Sequence, residues 1–490
     1  MATADYPSCV PNWINAKQVL SCSGGDIAKL SPASGEEICR VTRSNKEDVT
    51  TAVYAAMRAT RDWSATPGVQ RGEILRNVVI ELQRQRETVA ETVAMETGKA
   101  YREALGETDA AVAQGFFMAA EGQRLYGRTT TSAVANRYSV TVRQPIGVAG
   151  LIIAANTPIA NVAWKVFPAL VCGNTAVLKA AEDAPLTAWL FADIANQAGL
   201  PAGVLNVIQG LGSECGAALV ENSDVAVISF TGSTAVGKRI AMTAGERLAR
   251  VSLELGGKNP LVVCDDADLE NAVNWASLSA FSNAGQRCAA GSRIIIFDSI
   301  YEEFRDRMLA RTRALKVGPT DKDDLGPVIN ERQLDNMLAS IDTAVASGAT
   351  LLCGGKRLDD AAHAGGFYLQ PTIIEHAAED SAISTEELFG PIACLYRVRD
   401  YAAALALANN SRYGLTACIH TTNVHRATDF THKVQAGVAV VNAGTYGSEP
   451  HMPFGGHRQS GNGSREPGTE ALDVYSELKV IYVNIDPAKV

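Results

Sequence analysis

A cysteine among small residues is the first candidate for chemistry. Cys288 lies in the stretch SNAGQRCAAGSR, directly before an apolar run with the composition of a buried strand. Small neighbours allow a substrate and a cofactor to approach the sulfur atom. A packed structural thiol is the alternative, because free cysteines are among the most buried residues in proteins. The residue types alone leave both interpretations open.

A carboxylate and a carboxamide follow two other apolar runs. Glu254 ends a strand-like run in LELGGK, and Asn156 follows the run LIIAA in the stretch AANTP. A polar side chain at the carboxyl end of a strand in an open α/β sheet points toward the crevice where ligands bind. The alternatives are a lysine partner for Glu254 and a simple turn residue for Asn156.

A glycine-containing loop has three interpretations. Residues 230–239, FTGSTAVGKR, have nearly the spacing of a nucleotide-triphosphate P-loop, but Arg239 stands where a P-loop needs Ser or Thr. The loop could also be a strand-to-helix turn with no ligand. In the third interpretation, Gly232 and Ser233 open a helix whose N-terminus faces a dinucleotide pyrophosphate. The usual Gly-x-Gly-x-x-Gly pattern is absent, so this stretch alone does not decide.

The elements that would position these residues alternate between strand-like runs and amphipathic helices. The strand-like runs are short and mostly continuous, as in VAGLIIAA, TAVLKA, GVLNVIQG, VAVISFTG, NPLVVCDD and RIIIF. Continuous apolar runs separated by helices are typical of parallel strands buried on both faces. The sequence therefore predicts an α/β doubly wound fold built from βαβ units.

Three segments add detail to this pattern. Ser44 and Glu47 have the Ser-x-x-Glu spacing of a capping box, which predicts the start of a helix. Residues 128–144 are rich in β-branched residues and predict an antiparallel ribbon, and residues 475–484 predict a similar isolated strand. Two lone strands far apart in sequence need partners, and another subunit is one source.

Composition narrows the class of protein. The 490 residues are 47% hydrophobic and 20% charged, which is typical of a soluble globular protein with two or three domains. The net charge of −9 argues against a nucleic-acid partner, and no membrane span or secretory signal is expected. The ten cysteines are scattered without zinc-site spacing, so we expect no metal site and a reducing, cytoplasmic location.

Eight stretches, in order along the chain, resemble the NAD(P)-dependent aldehyde dehydrogenase superfamily. They are PIGVAGLIIAAN, WKVFPALVCGNTAVLKAAEDAPLTA, GLPAGVLNVIQG, FTGSTAVGK, LELGGKNP, NAGQRCAAGSR, EELFGPI and PFGGHRQSGNG. The resemblance covers almost the whole chain. It implies an aldehyde-dehydrogenase-like α/β fold with a Rossmann-type cofactor domain, an α/β catalytic domain and a small β oligomerisation ribbon. The FTGSTAVGK loop then belongs to the dinucleotide site, with Lys238 as a solvated helix residue.

The resemblance also implies domain boundaries. Residues 1–127 and 145–253 would form the NAD-binding domain, and residues 254–450 the catalytic domain. The remaining segments would be oligomerisation strands (128–144 and 472–490) and a return segment packing on the cofactor domain (451–471). The expected assembly is a homodimer or homotetramer.

The three polar residues acquire roles from the resemblance. Cys288 would be the nucleophile that attacks an aldehyde to form a thiohemiacetal, which hydride loss converts to a thioester. Asn156 and the Cys288 backbone N–H would hold the developing oxyanion. Glu254 would be the general base that activates water to release the acid.

Cofactor contacts follow from the same resemblance. Lys179 and Glu182 would contact the adenosine ribose, and a glutamate there repels a 2′-phosphate, which favours NAD over the alternative NADP. Gly212, Gly232 and Ser233 would line the adenosine and pyrophosphate. The resemblance assigns the rest of the cofactor site to Ile153, Leu255, Gln333, Glu387 and Phe389.

The expected substrate pocket departs from many relatives. Thr157 follows Asn156 where relatives carry an aromatic residue, which should make the tunnel wider or more polar. Arg287 could pair with an anionic substrate tail, or it could form a loop salt bridge unrelated to substrate. The ending SGNGSREPG is similar to that of relatives acting on acid-bearing semialdehydes such as α-ketoglutaric semialdehyde. Trp164, Ala289 and Phe454 complete the expected pocket.

Three rival functions remain at this stage. A coenzyme-A-acylating dehydrogenase would share the chemistry, but such relatives commonly lack the base that Glu254 supplies. A non-enzymatic scaffold or binding protein would be suggested by loss of Cys288, Asn156 or Glu254, and all three are present. A P-loop NTPase would predict magnesium-nucleotide turnover. A small-molecule aldehyde is the expected partner.

Overall fold

The computed structural model describes residues 6–489. Strands in this part of the chain are β1 (Cys9–Val10), β2 (Asn12–Ile14), β3 (Lys17–Val19), β4 (Asp26–Leu30), β5 (Glu37–Thr42), β6 (Thr129–Thr131), β7 (Arg137–Pro145), β8 (Val148–Ile152), β9 (Thr175–Lys179), β10 (Leu205–Ile208), β11 (Val225–Thr231), β12 (Arg250–Glu254), β13 (Asn259–Val263), β14 (Gly291–Phe297), β15 (Thr350–Cys353), β16 (Thr372–Glu375), β17 (Ile392–Val398), β18 (Thr416–His420), β19 (Val438–Val441) and β20 (Ser476–Asn484).

The α-helices of the same part are α1 (Lys46–Ala65), α2 (Gly68–Arg84), α3 (Arg86–Thr97), α4 (Tyr101–Glu121), α5 (Pro158–Val171), α6 (Pro185–Gln197), α7 (Ala217–Glu221), α8 (Thr234–Glu246), α9 (Leu269–Phe281), α10 (Tyr301–Ala314), α11 (Glu331–Ala346), α12 (Ala382–Thr385), α13 (Tyr401–Asn409), α14 (Val424–Lys433) and α15 (Ala471–Tyr475). No helix within residues 6–489 combines the length and the apolar character needed to cross a bilayer.

A first seven-stranded sheet has the order β12-β11-β8-β9-β10-β2-β3. Its first five strands are parallel, and only β2 and β3 run antiparallel to their neighbours. Every residue of β8, β9 and β10 is buried, because α1, α7 and α8 cover one face of the sheet and α2 to α6 the other. The continuous apolar runs are thus strands buried on both faces, as the sequence predicts.

A second seven-stranded sheet follows, with the order β15-β16-β17-β14-β13-β18-β19. Only β15 is antiparallel to its neighbour. Two apolar clusters cover its faces, one beneath α9 and α10 and the other beneath α11, α13 and α14. The α/β prediction is confirmed by these two largely parallel sheets, whereas the predicted domain boundaries stay a prediction.

The two lone strands of the sequence pair with each other. β20 runs antiparallel to β7 from Ser476 opposite Pro145 to Asn484 opposite Arg137, and β6 completes a three-stranded sheet. Their partner therefore lies within the same chain. Leu478, Val480 and Tyr482 nevertheless remain exposed on β20, which forms one edge of this sheet.

The segment after Phe454 lies along β12. The backbone N–H of Leu255 donates to the Ser460 carbonyl at 2.9 Å, and the N–H of Leu253 donates to Asn462 Oδ1 at 3.1 Å. These bonds pin the end of β12, where Glu254 lies, against a segment more than 200 residues away.

Candidate active site

Asn156 lies in the loop between β8 and α5. Its side-chain Nδ2 donates to the Gln286 carbonyl at 3.0 Å, which fixes the direction in which the amide faces. Its own backbone carbonyl accepts from Lys99 Nζ at 2.6 Å and from Asn283 Nδ2 at 3.3 Å. Because a carboxamide nitrogen carries two hydrogens, one N–H remains for another acceptor.

The loop before Cys288 has an unusual backbone. Asn283, Ala284 and Gly285 are all left-handed, with φ of 52°, 51° and 67°. Two of these residues carry a Cβ, so the turn stores strain that its surroundings must offset. The backbone N–H of Asn283 donates to Glu103 Oε1 at 2.8 Å, which anchors the turn to α4. The turn directs the Gln286 carbonyl toward Asn156.

Cys288 itself is half-buried in an apolar cluster. Trp164, Ala289, Tyr446 and Phe454 belong to the same cluster, so three of the expected pocket residues surround the thiol. Burial raises the pKa of the Cys288 thiol to about 12, and the charges of the nearby carboxylates act in the same direction. The backbone that follows the thiol is held in place, because Asn259 Nδ2 donates to the carbonyls of Cys288 and Ala290 at 2.8 and 2.9 Å.

Glu254 is a buried carboxylate without a hydrogen-bond partner. Neither of its carboxylate oxygens is bonded to any group within residues 6–489. Burial and the charge of Glu466 raise the pKa of Glu254 well above its ordinary value, and Lys165 opposes them. Lys165 Nζ and Glu466 form a fully buried ion pair at 2.9 Å. An unsatisfied carboxylate with a raised pKa is typical of a proton acceptor in a catalytic site.

Glu387 is a second carboxylate whose charge reaches Cys288. Its Oε1 accepts from the Gly257 backbone N–H at 2.9 Å, and a Cβ at Gly256 would collide with its carboxylate. Burial raises the pKa of Glu387 to about 7, although the Gly257 N–H and Lys258 oppose the shift. Gly256 therefore makes room for this carboxylate.

A cavity of about 120 Å³ lies beside the Asn156 loop. Gln333 and Phe389 line it together with Asn156, so two of the predicted cofactor residues meet the predicted oxyanion donor there. Phe389 has a left-handed backbone, with φ of 57°. Asp183, adjacent to the predicted cofactor residue Glu182, lines the same space.

The residues predicted for adenosine lie together. Lys179 Nζ is 2.5 Å from Glu182 Oε2, and a Cβ at Gly212 would lie 3.8 Å from the same ammonium. Burial acts to raise the pKa of Glu182, but the Lys179 ammonium holds that pKa below its ordinary value. An ionised carboxylate beside an open glycine fits a ribose with free hydroxyls, so the donor set suits NAD.

The FTGSTAVGK loop forms a strand end and a helix start. Gly232 follows β11, and Ser233 caps α8 by accepting from the Val236 N–H at 3.4 Å. The first-turn N–H groups of a helix lack intrahelical partners, which suits a pyrophosphate. Lys238 is exposed on α8 as predicted. Ile153 and Leu255, which are also predicted for the cofactor site, are both buried.

The residues predicted for the substrate pocket make contacts of different kinds. Trp164 and Phe454 pack with ring centroids 5.5 Å apart. Thr157 accepts from Asn161 Nδ2 at its hydroxyl, at 3.0 Å, in the first turn of α5. The Arg287 guanidinium lies 4.8 Å from the Tyr446 ring centroid and 3.6 Å from Glu103. A loop salt bridge is thus present, and it is long enough to be weak.

Sequence reasoning missed the groups that hold these residues. These groups are Lys99, Glu107, Gln286, Lys165 and Glu466. Lys99 and Gln286 bond to Asn156, and Glu107 pairs with Lys99. Lys165 and Glu466 pair with each other, and their charges shift the pKa of Glu254. One signal was available. Lys165 interrupts an otherwise apolar helix in WKVFPAL, and a charged residue is rarely buried without a specific partner.

This arrangement is that of an α/β oxidoreductase, with a thiol and two carboxylates near the strand ends of two sheets. The chain belongs to the aldehyde dehydrogenase family, whose model matches residues 19–481. It is therefore an NAD(P)-dependent enzyme that oxidises aldehydes.

Individual relatives agree with the family. An α-ketoglutaric semialdehyde dehydrogenase of Bacillus subtilis (strain 168) is 39% identical over 96% of this chain and 97% of its own length. An α-ketoglutarate semialdehyde dehydrogenase of Haloferax volcanii is 38% identical over 96% of this chain and 98% of its own. A crystal structure of betaine aldehyde dehydrogenase from Staphylococcus aureus in complex with NAD+ is 32% identical, with a TM-score of 0.95, over 98% of this chain and 95% of that one. The predicted family and fold are confirmed.

Proposed function

We propose that this enzyme uses NAD+ to oxidise a semialdehyde with a carboxylate tail to the corresponding diacid. The observation that carries the proposal is the position of Arg287. Arg287 directly precedes Cys288 in the chain. Its guanidinium lies against Tyr446, which belongs to the apolar cluster that surrounds the thiol. A cation at this point favours an anionic tail on the substrate.

The Cys288 thiol and the Asn156 carboxamide have different roles in the first step. The Cys288 thiol first loses its proton to solvent, and the thiolate then attacks the aldehyde carbon. The negative charge that develops on oxygen is stabilised by the free N–H of Asn156 and the Cys288 backbone N–H. The Gln286 carbonyl occupies the other amide hydrogen of Asn156. The carboxamide therefore needs no reorganisation when charge appears.

Glu254 supplies the second step as a general base. Its raised pKa makes it a stronger proton acceptor than an exposed glutamate, so it can take a proton from the water that attacks the thioester. This water-activating role favours hydrolysis over transfer to coenzyme A. The retained Cys288, Asn156 and Glu254 also argue against a non-enzymatic scaffold.

Lys179 and Glu182 support NAD+ over NADP+. The ionised Glu182 suits ribose hydroxyls and would repel a 2′-phosphate. The bound nicotinamide supplies the hydride acceptor. Gln333 and Phe389 line the cavity beside Asn156, and the charge of Glu387 raises the pKa of the Cys288 thiol.

An aldehyde with a trimethylammonium tail is the alternative to an aldehyde with a carboxylate tail. Trp164, Tyr446 and Phe454 form an aromatic group of the kind that binds quaternary ammonium, and the Staphylococcus aureus relative is a betaine aldehyde dehydrogenase. In this chain, however, Arg287 occupies the Tyr446 ring at 4.8 Å. Its charge would repel a cationic aldehyde. The two semialdehyde dehydrogenases, at 39% and 38% identity, support the acid tail.

The assembly and location are part of the proposal. The exposed apolar residues on edge strand β20 suit a homodimer or a dimer of dimers, built through the ribbon at 128–144 and the strand at 472–490. The proposed domain boundaries at 253 and 450 are supported by the division into two large sheets, although β12 of the first sheet extends one residue further, to Glu254. The ten free thiols suit the reducing cytoplasm.

A substrate panel tests this function. Formation of reduced nicotinamide would be followed with α-ketoglutaric semialdehyde, a neutral aldehyde of equal length and betaine aldehyde, each with NAD+ and with NADP+. We expect kcat/KM for the acid-tailed aldehyde to be about 10-fold above the neutral one, from one charge-assisted contact. Equal values for the acid-tailed and neutral aldehydes, or a preference for betaine aldehyde, would overturn the acid-tail proposal.

Two variants sharpen the test. Arg287→Ala should lower kcat/KM for the acid-tailed aldehyde only. Glu103→Gln should raise it, because the neutral amide no longer competes for the guanidinium yet still offers an oxygen to the Asn283 N–H. Equal losses on neutral and acidic aldehydes in Arg287→Ala would return Arg287 to a purely structural role.

A further inference from the structure

A buried ammonium lies behind the Asn156 loop. Lys99 lies between α3 and α4, and its side chain is only 2% exposed. Its Nζ donates to the Asn156 backbone carbonyl at 2.6 Å and to Glu107 Oε2 at 2.6 Å. The family chemistry described above makes no use of this pair.

Glu107 connects the ammonium to a helix start. Its second oxygen, Oε1, accepts from the backbone N–H groups of Ile159 and Ala160 at 3.0 and 3.3 Å. These N–H groups belong to the first turn of α5, which begins two residues after Asn156. One carboxylate on α4 therefore holds both the ammonium behind Asn156 and the helix that continues from it.

We propose that Lys99, anchored by Glu107, is a positioning residue for the oxyanion-donating amide of Asn156. The ammonium fixes the Asn156 backbone from behind, and the Gln286 carbonyl fixes the amide from the side. The remaining N–H is left aimed at the substrate oxygen. A misplacement of about 1 Å in such a group costs ~100-fold in rate. The inference rests on the proposed roles of Asn156 and Cys288.

The burial of the pair supports a positional role. Taking a lysine and a glutamate out of water is unfavourable, and an apolar pair of similar volume is often as stable. The ion pair can form directed hydrogen bonds to the backbone, which an apolar pair could not form. Charge-assisted hydrogen bonds are shorter and stronger than neutral ones, so the pair holds a backbone carbonyl and two helix N–H groups more firmly than neutral side chains would.

The first test is Lys99→Met, which keeps the aliphatic stem and removes the ammonium. The rate of reduced nicotinamide formation in the first turnover should fall about 10- to 100-fold. NAD+ affinity and the rate of Cys288 alkylation by iodoacetamide should be unchanged, because neither needs the Asn156 amide. Wild-type first-turnover rates in Lys99→Met would overturn the inference.

A double-mutant cycle with Asn156→Ala separates positioning from a general structural effect. If Lys99 acts through Asn156, the double variant should be no slower than Asn156→Ala alone. Fully additive losses would overturn the inference while leaving the proposed role of Asn156 intact. If Asn156→Ala alone keeps the wild-type rate, the oxyanion role itself fails, and the inference fails with it.

Glu107→Gln provides a second route if Lys99→Met does not fold. The amide oxygen can still accept from the first turn of α5, but the charge that anchors Lys99 is gone. We expect a smaller loss, about 5-fold, that is again absent in the Asn156→Ala background; a loss that persists there overturns the inference. The matched control is Asp109→Asn on the same helix, whose carboxylate pairs with Arg86 at 2.9 Å on the surface, and it should keep the wild-type rate.

Discussion

The Asn156 side-chain amide donates to the Gln286 carbonyl at 3.0 Å and so joins the loop after β8 to the loop that carries Cys288. The two loops come from different seven-stranded sheets. The bond also distinguishes the two ends of the carboxamide, because only its nitrogen can donate. The orientation of the predicted oxyanion donor is therefore set by a backbone group two residues from the nucleophile.

Replacing this amide with a carboxylate should be more damaging than removing it. In Asn156→Asp, the new carboxylate cannot donate to the Gln286 carbonyl and would repel the developing oxyanion. We expect acylation to slow by more than the ~100- to 1000-fold of a lost oxyanion donor. First-turnover rates of Asn156→Asp and Asn156→Ala, measured side by side, check this. A faster Asn156→Asp would contradict the assigned orientation.

The thiol pKa should respond to the carboxylates around it. After burial, the Glu387 charge and then the Glu254 charge raise the pKa of Cys288, which reaches about 12. Neutralising either carboxylate lowers that pKa and increases the thiolate fraction at a fixed pH. Glu387→Gln and Glu254→Gln should each alkylate faster than wild type with iodoacetamide at pH 8, by about 10-fold.

A neighbouring residue provides the matched control for this experiment. Glu386 is exposed and pairs with Arg412, so Glu386→Gln makes the same change of charge one residue away. Its alkylation rate should equal that of the wild type. In the wild type, the rate should rise about 10-fold per pH unit between pH 7 and 10, since the thiol is protonated throughout that range. A plateau near pH 8 would contradict the raised pKa.

The pH dependence of thioester hydrolysis should move with Glu466. Burial and the Glu466 charge raise the pKa of Glu254, while Lys165 opposes them. A general base is active when deprotonated, so hydrolysis should increase as pH rises through the Glu254 pKa. Glu466→Gln removes a repelling charge and should shift this acidic limb to lower pH. Lys165→Met should shift it to higher pH, and shifts in the same direction for both would contradict the assignment.

The sequence predicts a local feature well only where residues close in the chain determine it, and the cap of α1 shows the limit. The helix start near residue 45 was predicted one residue early. Asn45 caps α1, and Asp48 completes the box, because Asp48 Oδ2 accepts from the Asn45 N–H at 3.0 Å. The Ser44 hydroxyl instead donates to Asn12 at 2.9 Å, a partner 32 residues away. Tertiary contacts therefore decided which residue capped the helix.

The residues that hold the site in place were not predictable, because the residues that contact one another are distant in sequence. Lys99 meets Asn156 across 57 positions, and Lys165 meets Glu466 across 301. Nothing in the spacing of these residues indicates that they touch. Cys288, Glu254 and Asn156 could be singled out because each directly follows or precedes an apolar strand-like run.

Cofactor choice should depend on a single carboxylate. Glu182 lies 2.5 Å from Lys179, and that ammonium keeps Glu182 ionised. In Glu182→Gln, the repulsion of a 2′-phosphate disappears and Lys179 is left free to attract one. We expect kcat/KM with NADP+ to rise about 10-fold while that with NAD+ falls. Glu214→Gln, which neutralises a half-buried carboxylate that pairs with Arg43, 171 residues away in the chain, should leave the ratio of the two cofactors unchanged. An unchanged ratio in Glu182→Gln as well would mean that other groups select the cofactor.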